Sequence, residues 1–193
     1  MENRRLAILL SGRGSNFVAI HKAIQRGDLN AEICCVISNV EDAGGLSKAT
    51  EFGLTAISLP SKGIERAEYD RMLIKALRPF DPQLVCLAGY MRIVGPQLLK
   101  EYPGRVLNIH PALLPSFPGL HAQRQALQYG VKVSGCTVHI ADEGVDTGPI
   151  ILQRAVEVLE GDTEESLSAR ILEQEHQAYW RAIALMLARM ELG

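Results

Sequence analysis

Short apolar runs alternate with helix-like stretches along most of this chain, and that alternation constrains the fold more than any other feature. Residues 6–10 (LAILL), 33–38, 55–59, 84–88 and 105–109 are rich in Leu, Ile, Val and Ala and read as buried strands. Strands apolar on both sides belong to a sheet covered on both faces, which is the parallel kind. Helices are predicted between them over residues 16–26, 45–52, 65–78 and 96–102. Asn16 can cap the first, while Gly27, Gly53 and Pro79 end the first three. Pro96 suits the first turn of the fourth. Residues 111–119 contain Pro111, Pro115 and Pro118 and cannot be regular structure. A helix is predicted over 122–129, closed by Gly130. The runs 133–140 and 149–158 have no helix between them and can pair antiparallel through residues 142–148. Thr163 can cap a last helix reaching nearly to Leu192. The expected fold class is α/β: a single domain with a mostly parallel, doubly wound sheet of about seven strands and an antiparallel edge. One domain over 1–193 is expected, with a phosphate-binding half over 1–100 and a second half over 101–193.

With 193 residues and 47% hydrophobic content the chain can bury an ordinary core. A net charge of -2 argues against broad attraction to nucleic acid or an anionic membrane. The four cysteines form no C-x-x-C pair, which suits reduced, buried thiols. No stretch approaches the roughly 20 apolar residues of a membrane span, and the start does not read as a signal peptide. A cytoplasmic enzyme or binding protein is expected, with small-molecule partners and homodimer formation left open.

Residues 11–16, SGRGSN, follow the first strand and open the first helix. Ligands of such sheets collect at the carboxyl ends of the strands. Helix N-terminal amides and glycine backbone suit a phosphate there. The P-loop pattern is absent, and Phe17 stands where a dinucleotide fingerprint needs its third glycine. Asn39 leaves the second strand where a ribose-binding carboxylate is expected. A monophosphate ligand fits better than NAD, and a tight turn without ligand is the alternative.

Asn108 and His110 lie two apart on the fifth strand and so face the same side. An Asn amide beside an imidazole suits a carbonyl oxygen that becomes negative during attack. Asp146 sits in the acidic, glycine-flanked loop 142–148, and near His110 it would favour the protonated ring. A structural histidine and an ordinary turn aspartate are the competing readings. His21, His121, His139 and His176 lack metal-ligand spacing, so no metal is expected. Glu175 falls on the apolar stripe of the last helix, either turned to a ligand or reaching solvent.

The motifs SGxGSN (11–16), LAGYMRI (87–93), NIHPALLP (108–115), PGLH (118–121) and DTGP (146–149) occur in this order. Together they resemble the phosphoribosylglycinamide formyltransferases, folate-dependent enzymes of purine synthesis, over nearly the whole chain. The resemblance implies a seven-stranded mixed sheet, no metal, and 10-formyltetrahydrofolate as donor co-substrate. It implies that Gly14, Ser15, Asn16 and Phe17 hold the phosphate of glycinamide ribonucleotide and Glu175 its ribose. It assigns donor binding to Arg66, Met91, Arg92, Ile93, Val94, Asn108, Asp142, Glu143, Gly144, Val145 and Asp146. His110 then matches the proton donor, Asn108 its oxyanion partner and Asp146 the residue that keeps the imidazole charged, which makes 101–193 the folate-binding and catalytic half. Arg13, between the two loop glycines, is expected to strengthen phosphate binding. Formyl transfer to another amine and a non-catalytic nucleotide-binding module are the alternatives; a dinucleotide-dependent oxidoreductase is disfavoured by Phe17.

Overall fold

In the computed structural model, strand β1 (Arg5–Leu10) has Leu6, Ala7, Ile8, Leu9 and Leu10 wholly buried. It pairs in parallel with β2 (Glu32–Ser38) on one side and β4 (Leu84–Leu87) on the other. Its side chains are buried on both faces of the sheet, so its sequence is continuously apolar. The sheet has seven strands in the order β3-β2-β1-β4-β5-β6-β7. The others are β3 (Ala56–Ser58), β5 (Val106–His110), β6 (Val133–Ile140) and β7 (Ile150–Glu157). β6 and β7 are antiparallel, so the mixed edge expected from the missing helix is present.

The structure describes residues 4–192 and falls into two compact units, up to residue 107 and from residue 108. The first carries α1 (Ser15–Gln25), α2 (Gly44–Glu51), α3 (Arg66–Leu77) and α4 (Pro96–Glu101). Phe17 and Ile20 of α1, and Tyr69, Leu73 and Leu77 of α3, are buried in its core. Burial of each such side chain is worth about 1.5–3 kcal/mol. Asp70 of α3 is buried too, and its carboxylate accepts from the Gly95 and Leu98 amides at 3.0 and 3.2 Å. It thereby caps α4 from a neighbouring helix. Pro79 does not end α3 abruptly: residues Arg78–Phe80 continue as a 3-10 turn.

One expectation about α1 fails. Its cap is Gly14, not Asn16, which lies within the first turn and is buried. Gly14 has φ 73°, and an added Cβ would meet Gly45 Cα at 3.1 Å and Leu10 Cδ2 at 3.2 Å. Both the backbone and the space therefore demand glycine, and no side chain caps the helix.

The second unit carries α5 (Ala122–Tyr129) and α6 (Glu164–Glu191), the latter packed on β6 and β7. Thr163 caps α6 as expected: its side chain accepts from the Ser166 amide, and Ser166 Oγ accepts from the Thr163 amide. Leu167, Ile171, Ala178, Ala182 and Met186 form the buried stripe, joined by Tyr179 and Ile183. No helix among the described residues is long and apolar enough to cross a membrane.

Candidate active site

β5 ends at Asn108, Ile109 and His110, and Pro111 then takes the chain out of the sheet. His110 is 4% exposed, and its two ring nitrogens both meet oxygen. Nε2 lies 2.8 Å from the Phe117 carbonyl, and Nδ1 lies 3.2 Å from Asp146 Oδ2. A carbonyl only accepts, so Nε2 carries a hydrogen and donates it. The aspartate expected beside this imidazole from the 142–148 loop is thus beside it.

Asp146 gathers more than one histidine. Its Oδ2 also accepts from the Gly119 amide at 2.8 Å, while Oδ1 accepts from Asn108 Nδ2 at 3.3 Å. His139 Nε2 stands 3.4 Å from that same Oδ1 and 3.2 Å from Asn108 Nδ2. Burial alone pulls the Asp146 carboxyl up. His139, the Gly119 amide and the charge of His110 more than offset this, and hold it below the usual aspartate range.

The spacing of His139 in the sequence gives no sign of its part in this cluster. Its place comes from the sheet: β6 lies beside β5, which brings His139 to Asn108. His139 is 2% exposed, and its Nδ1 donates to its neighbour's carbonyl, Ile140, at 3.0 Å. Its Nε2 faces both Asn108 Nδ2 and Asp146 Oδ1, so it accepts from the amide when bare and donates to the carboxylate when it carries a hydrogen.

Two backbone features hold the Asp146 loop. Asp146 has φ 56°, a left-handed conformation that Asp tolerates. Gly148 lies so close to the Ile140 carbonyl that a Cβ would collide with it. Asp142, expected at the donor, accepts from Thr147 Oγ1 and the Gly144 amide, bracing the turn. Glu143, Gly144 and Val145 are exposed. Thr137, fully buried on β6, donates to the Ala112 carbonyl and accepts from the Leu114 amide, fixing the proline-rich loop. Glu175 is buried at 8% exposure on α6. Burial first, and then its nearby charge, push the Cys136 thiol up to about 12. Among the described residues no group of three His, Cys, Asp or Glu is arranged to hold a metal ion.

In the first unit, α1 makes its first backbone bond from Val18 N–H to the Gly14 carbonyl. The amides before it have no partner within the helix, so the N-terminus suits an anion. Arg13 and Ser15 are exposed there, whereas the Phe17 ring is buried against Phe52 and offers a ligand only its backbone. Residues 91–94 follow β4 without regular structure. Met91 and Ile93 are exposed at 75% and 53%, and Val94 is buried. The Arg92 guanidinium, expected at the donor, donates to the Ser61 and Ile64 carbonyls and stacks over Tyr69. Arg66 is exposed at the start of α3.

With an Asn-His-Asp cluster at the end of a central strand and an anion-suited loop after the first, comparison with known proteins is decisive. The formyl transferase family matches residues 4–183, and the chain belongs to that family of enzymes. The phosphoribosylglycinamide formyltransferase of Bacillus subtilis is 40% identical over 191 residues, covering 98% of both chains. The trifunctional purine biosynthetic protein adenosine-3 of Drosophila melanogaster is 45% identical over 187 residues, and the chain spans 14% of that protein's length. The crystal structure of glycinamide ribonucleotide transformylase 1 from Symbiobacterium toebii superposes with a TM-score of 0.93 at 49% identity, over 95% of this chain and 87% of that one. A formyltetrahydrofolate deformylase from Pseudomonas syringae superposes with a TM-score of 0.91 at 28% identity, over 97% of this chain and 62% of that one.

Proposed function

We propose that this enzyme transfers the formyl group of 10-formyltetrahydrofolate to the amine of glycinamide ribonucleotide. The cluster of Asn108, His110 and Asp146 is the observation that carries the reading, with His110 Nδ1 3.2 Å from Asp146 Oδ2. Relatives named for this acceptor, matched over nearly the whole chain, support it. The neighbour named for a formyl-folate supports the donor class.

The acceptor amine attacks the formyl carbon. A C–N bond forms as the carbonyl π electrons move to oxygen. Asn108 and His110 stabilise that oxyanion. One Asn108 N–H, aimed between His139 and Asp146, leaves the second amide hydrogen for the substrate. His110 Nε2 exchanges the Phe117 carbonyl for the developing oxygen, while Asp146 fixes the ring through Nδ1. Collapse breaks the bond to the folate nitrogen. The proton lost by the amine reaches that nitrogen through His110 or a water. Much of the acceleration comes from holding two substrates in attack geometry. Gly14, Ser15, Asn16 and the Phe17 amide hold the phosphate, and Glu175 a ribose hydroxyl. Met91, Ile93 and the backbone of 91–94, together with Arg66 and the 142–146 loop, hold the donor.

A spectrophotometric transfer assay with a formyl-folate analogue tests this. Turnover with glycinamide ribonucleotide, and little with other amines, is expected. Equal turnover of unrelated primary amines would remove the acceptor assignment.

A further inference from the structure

β1 is where the sheet order reverses, with β2 and β3 on one side and β4 on the other. Ligands of open parallel sheets gather at the carboxyl ends of the strands beside such a reversal. The loops after β1 and β4 meet there, and they are bonded to each other. The Ser11 amide donates to the Gly89 carbonyl at 3.1 Å, and the Met91 amide donates to Ser11 Oγ at 2.7 Å.

The Ser11 hydroxyl continues the path. It donates to Asn39 Oδ1 at 2.5 Å, just past β2. Asn39 Nδ2 donates to Ser61 Oγ at 3.1 Å, past β3. Arg92 Nη1 and Nη2 donate to the Ser61 and Ile64 carbonyls at 3.2 and 2.9 Å, and its guanidinium lies 4.6 Å from the centre of the Tyr69 ring. The path therefore closes on the segment where it began. Each of the four strand ends, β1, β2, β3 and β4, contributes one link. Asn39 uses both ends of its amide, accepting with one and donating with the other. This accounts for an amide where a dinucleotide-binding fold carries an acid.

We infer that the ring of Ser11, Asn39, Ser61 and Arg92 is a positioning device that makes the two substrates bind cooperatively. The inference rests on the assignment of residues 14–17 to the acceptor phosphate and 91–94 to the donor. The phosphate orders the loop that Ser11 begins. Ser11 Oγ holds the amide of Met91, a residue in irregular structure with its side chain exposed. Order imposed at one end is carried to the other, so the second ligand meets a segment already fixed. The effect is reciprocal by linkage. Ser11, Asn39 and Ser61 are thus positioning residues and touch neither reacting atom.

The test is calorimetric titration of the intact chain with an unreactive 5,8-dideazafolate, with and without saturating glycinamide ribonucleotide. In the wild-type chain the nucleotide is expected to tighten folate binding about ten-fold, within the usual range of such couplings. In Ser11→Ala and Asn39→Ala that factor is expected to fall below about two, and Ser11→Thr, which keeps the hydroxyl, to restore it. Melting followed by circular dichroism checks folding. Should Ser11→Ala unfold, Ser61→Ala cuts the same ring by removing only the Asn39 acceptor. A general loss of stability lowers both affinities together and leaves their ratio intact, so a retained ratio in folded variants overturns the inference. A wild-type chain that binds both ligands independently overturns it as well, leaving the transfer function standing. A wild-type chain that binds neither overturns the transfer function and the coupling together.

Discussion

Asp146 is the residue on which the site converges, with His110, His139, Asn108 and the Gly119 amide all directed at its two oxygens. An Asp146→Asn substitution keeps the shape and removes the charge. It is expected to lower kcat by about 10²–10⁴, with acceptor KM little changed, because the charge acts on the imidazole rather than on the ribonucleotide. Steady-state kinetics against both substrates checks this, and a wild-type kcat would take Asp146 out of the chemistry. The lowered Asp146 pKa also has a consequence for folding. A depressed carboxylate stabilises the fold fully above its unfolded value of about 3.9. That stability is lost as pH falls through the lower, folded value. The stability gap between wild type and Asp146→Ala, about 1–3 kcal/mol near neutrality, should therefore close in strong acid; a gap independent of pH in denaturant titrations would contradict the assignment. His139→Ala should free the Asn108 amide and reduce kcat by about ten-fold or more, in keeping with residues that orient a ligating group. Asn108 and His110 were legible because two-residue spacing on a strand fixes their common face. His139 was not, since only the long-range placement of β6 beside β5 brings it to Asn108.

Elements were legible where their signals are local, and obscure where a neighbour supplies the signal. The Thr163 cap and the apolar stripe of α6 can be read directly from the sequence. The start of α1 cannot: Asn16 has the better capping side chain, yet the close approach of Gly45 and Leu10 to Gly14 decides the turn. Arg92 is similar, because nothing local announces that its guanidinium will be taken by carbonyls 28 and 31 residues earlier. Asp70 is the clearest case of one element completing another. Asp70→Ala leaves two buried amides at the start of α4 without an acceptor. A loss of about 2–4 kcal/mol is expected, read as an earlier midpoint in urea with unchanged slope. Asp70→Asn, which keeps one oxygen, should recover part of it. An Asp70→Ala midpoint equal to wild type would show that α4 finds its cap elsewhere.

Across the molecule, the strand order is what makes a weakly acidic chain a plausible host for an anionic ribonucleotide. A net charge of -2 attracts no phosphate from a distance. Recognition must then be local, and the order of the sheet supplies the locality by opening the loop after β1 at its reversal. The helix dipole and amides at the start of α1 act over only the first turn, and the exposed Arg13 beside them is the solvent-screened part of the charge. Exposed charges are screened within about 8 Å at physiological salt, whereas amides that bond a phosphate directly are screened far less. Two contributions of different salt sensitivity follow. Raising ionic strength should raise the acceptor KM of the wild-type chain. Arg13→Ala should begin with a KM raised about three- to ten-fold, the effect of about 1 kcal/mol from a charged end contact, and respond less to salt. The two KM values should therefore converge as salt increases, with kcat nearly equal throughout, because on the proposed assignment Arg13 serves the phosphate end and not the amine. Parallel salt curves would mean that the guanidinium stays in solvent, leaving the backbone of the glycine loop to carry the phosphate alone.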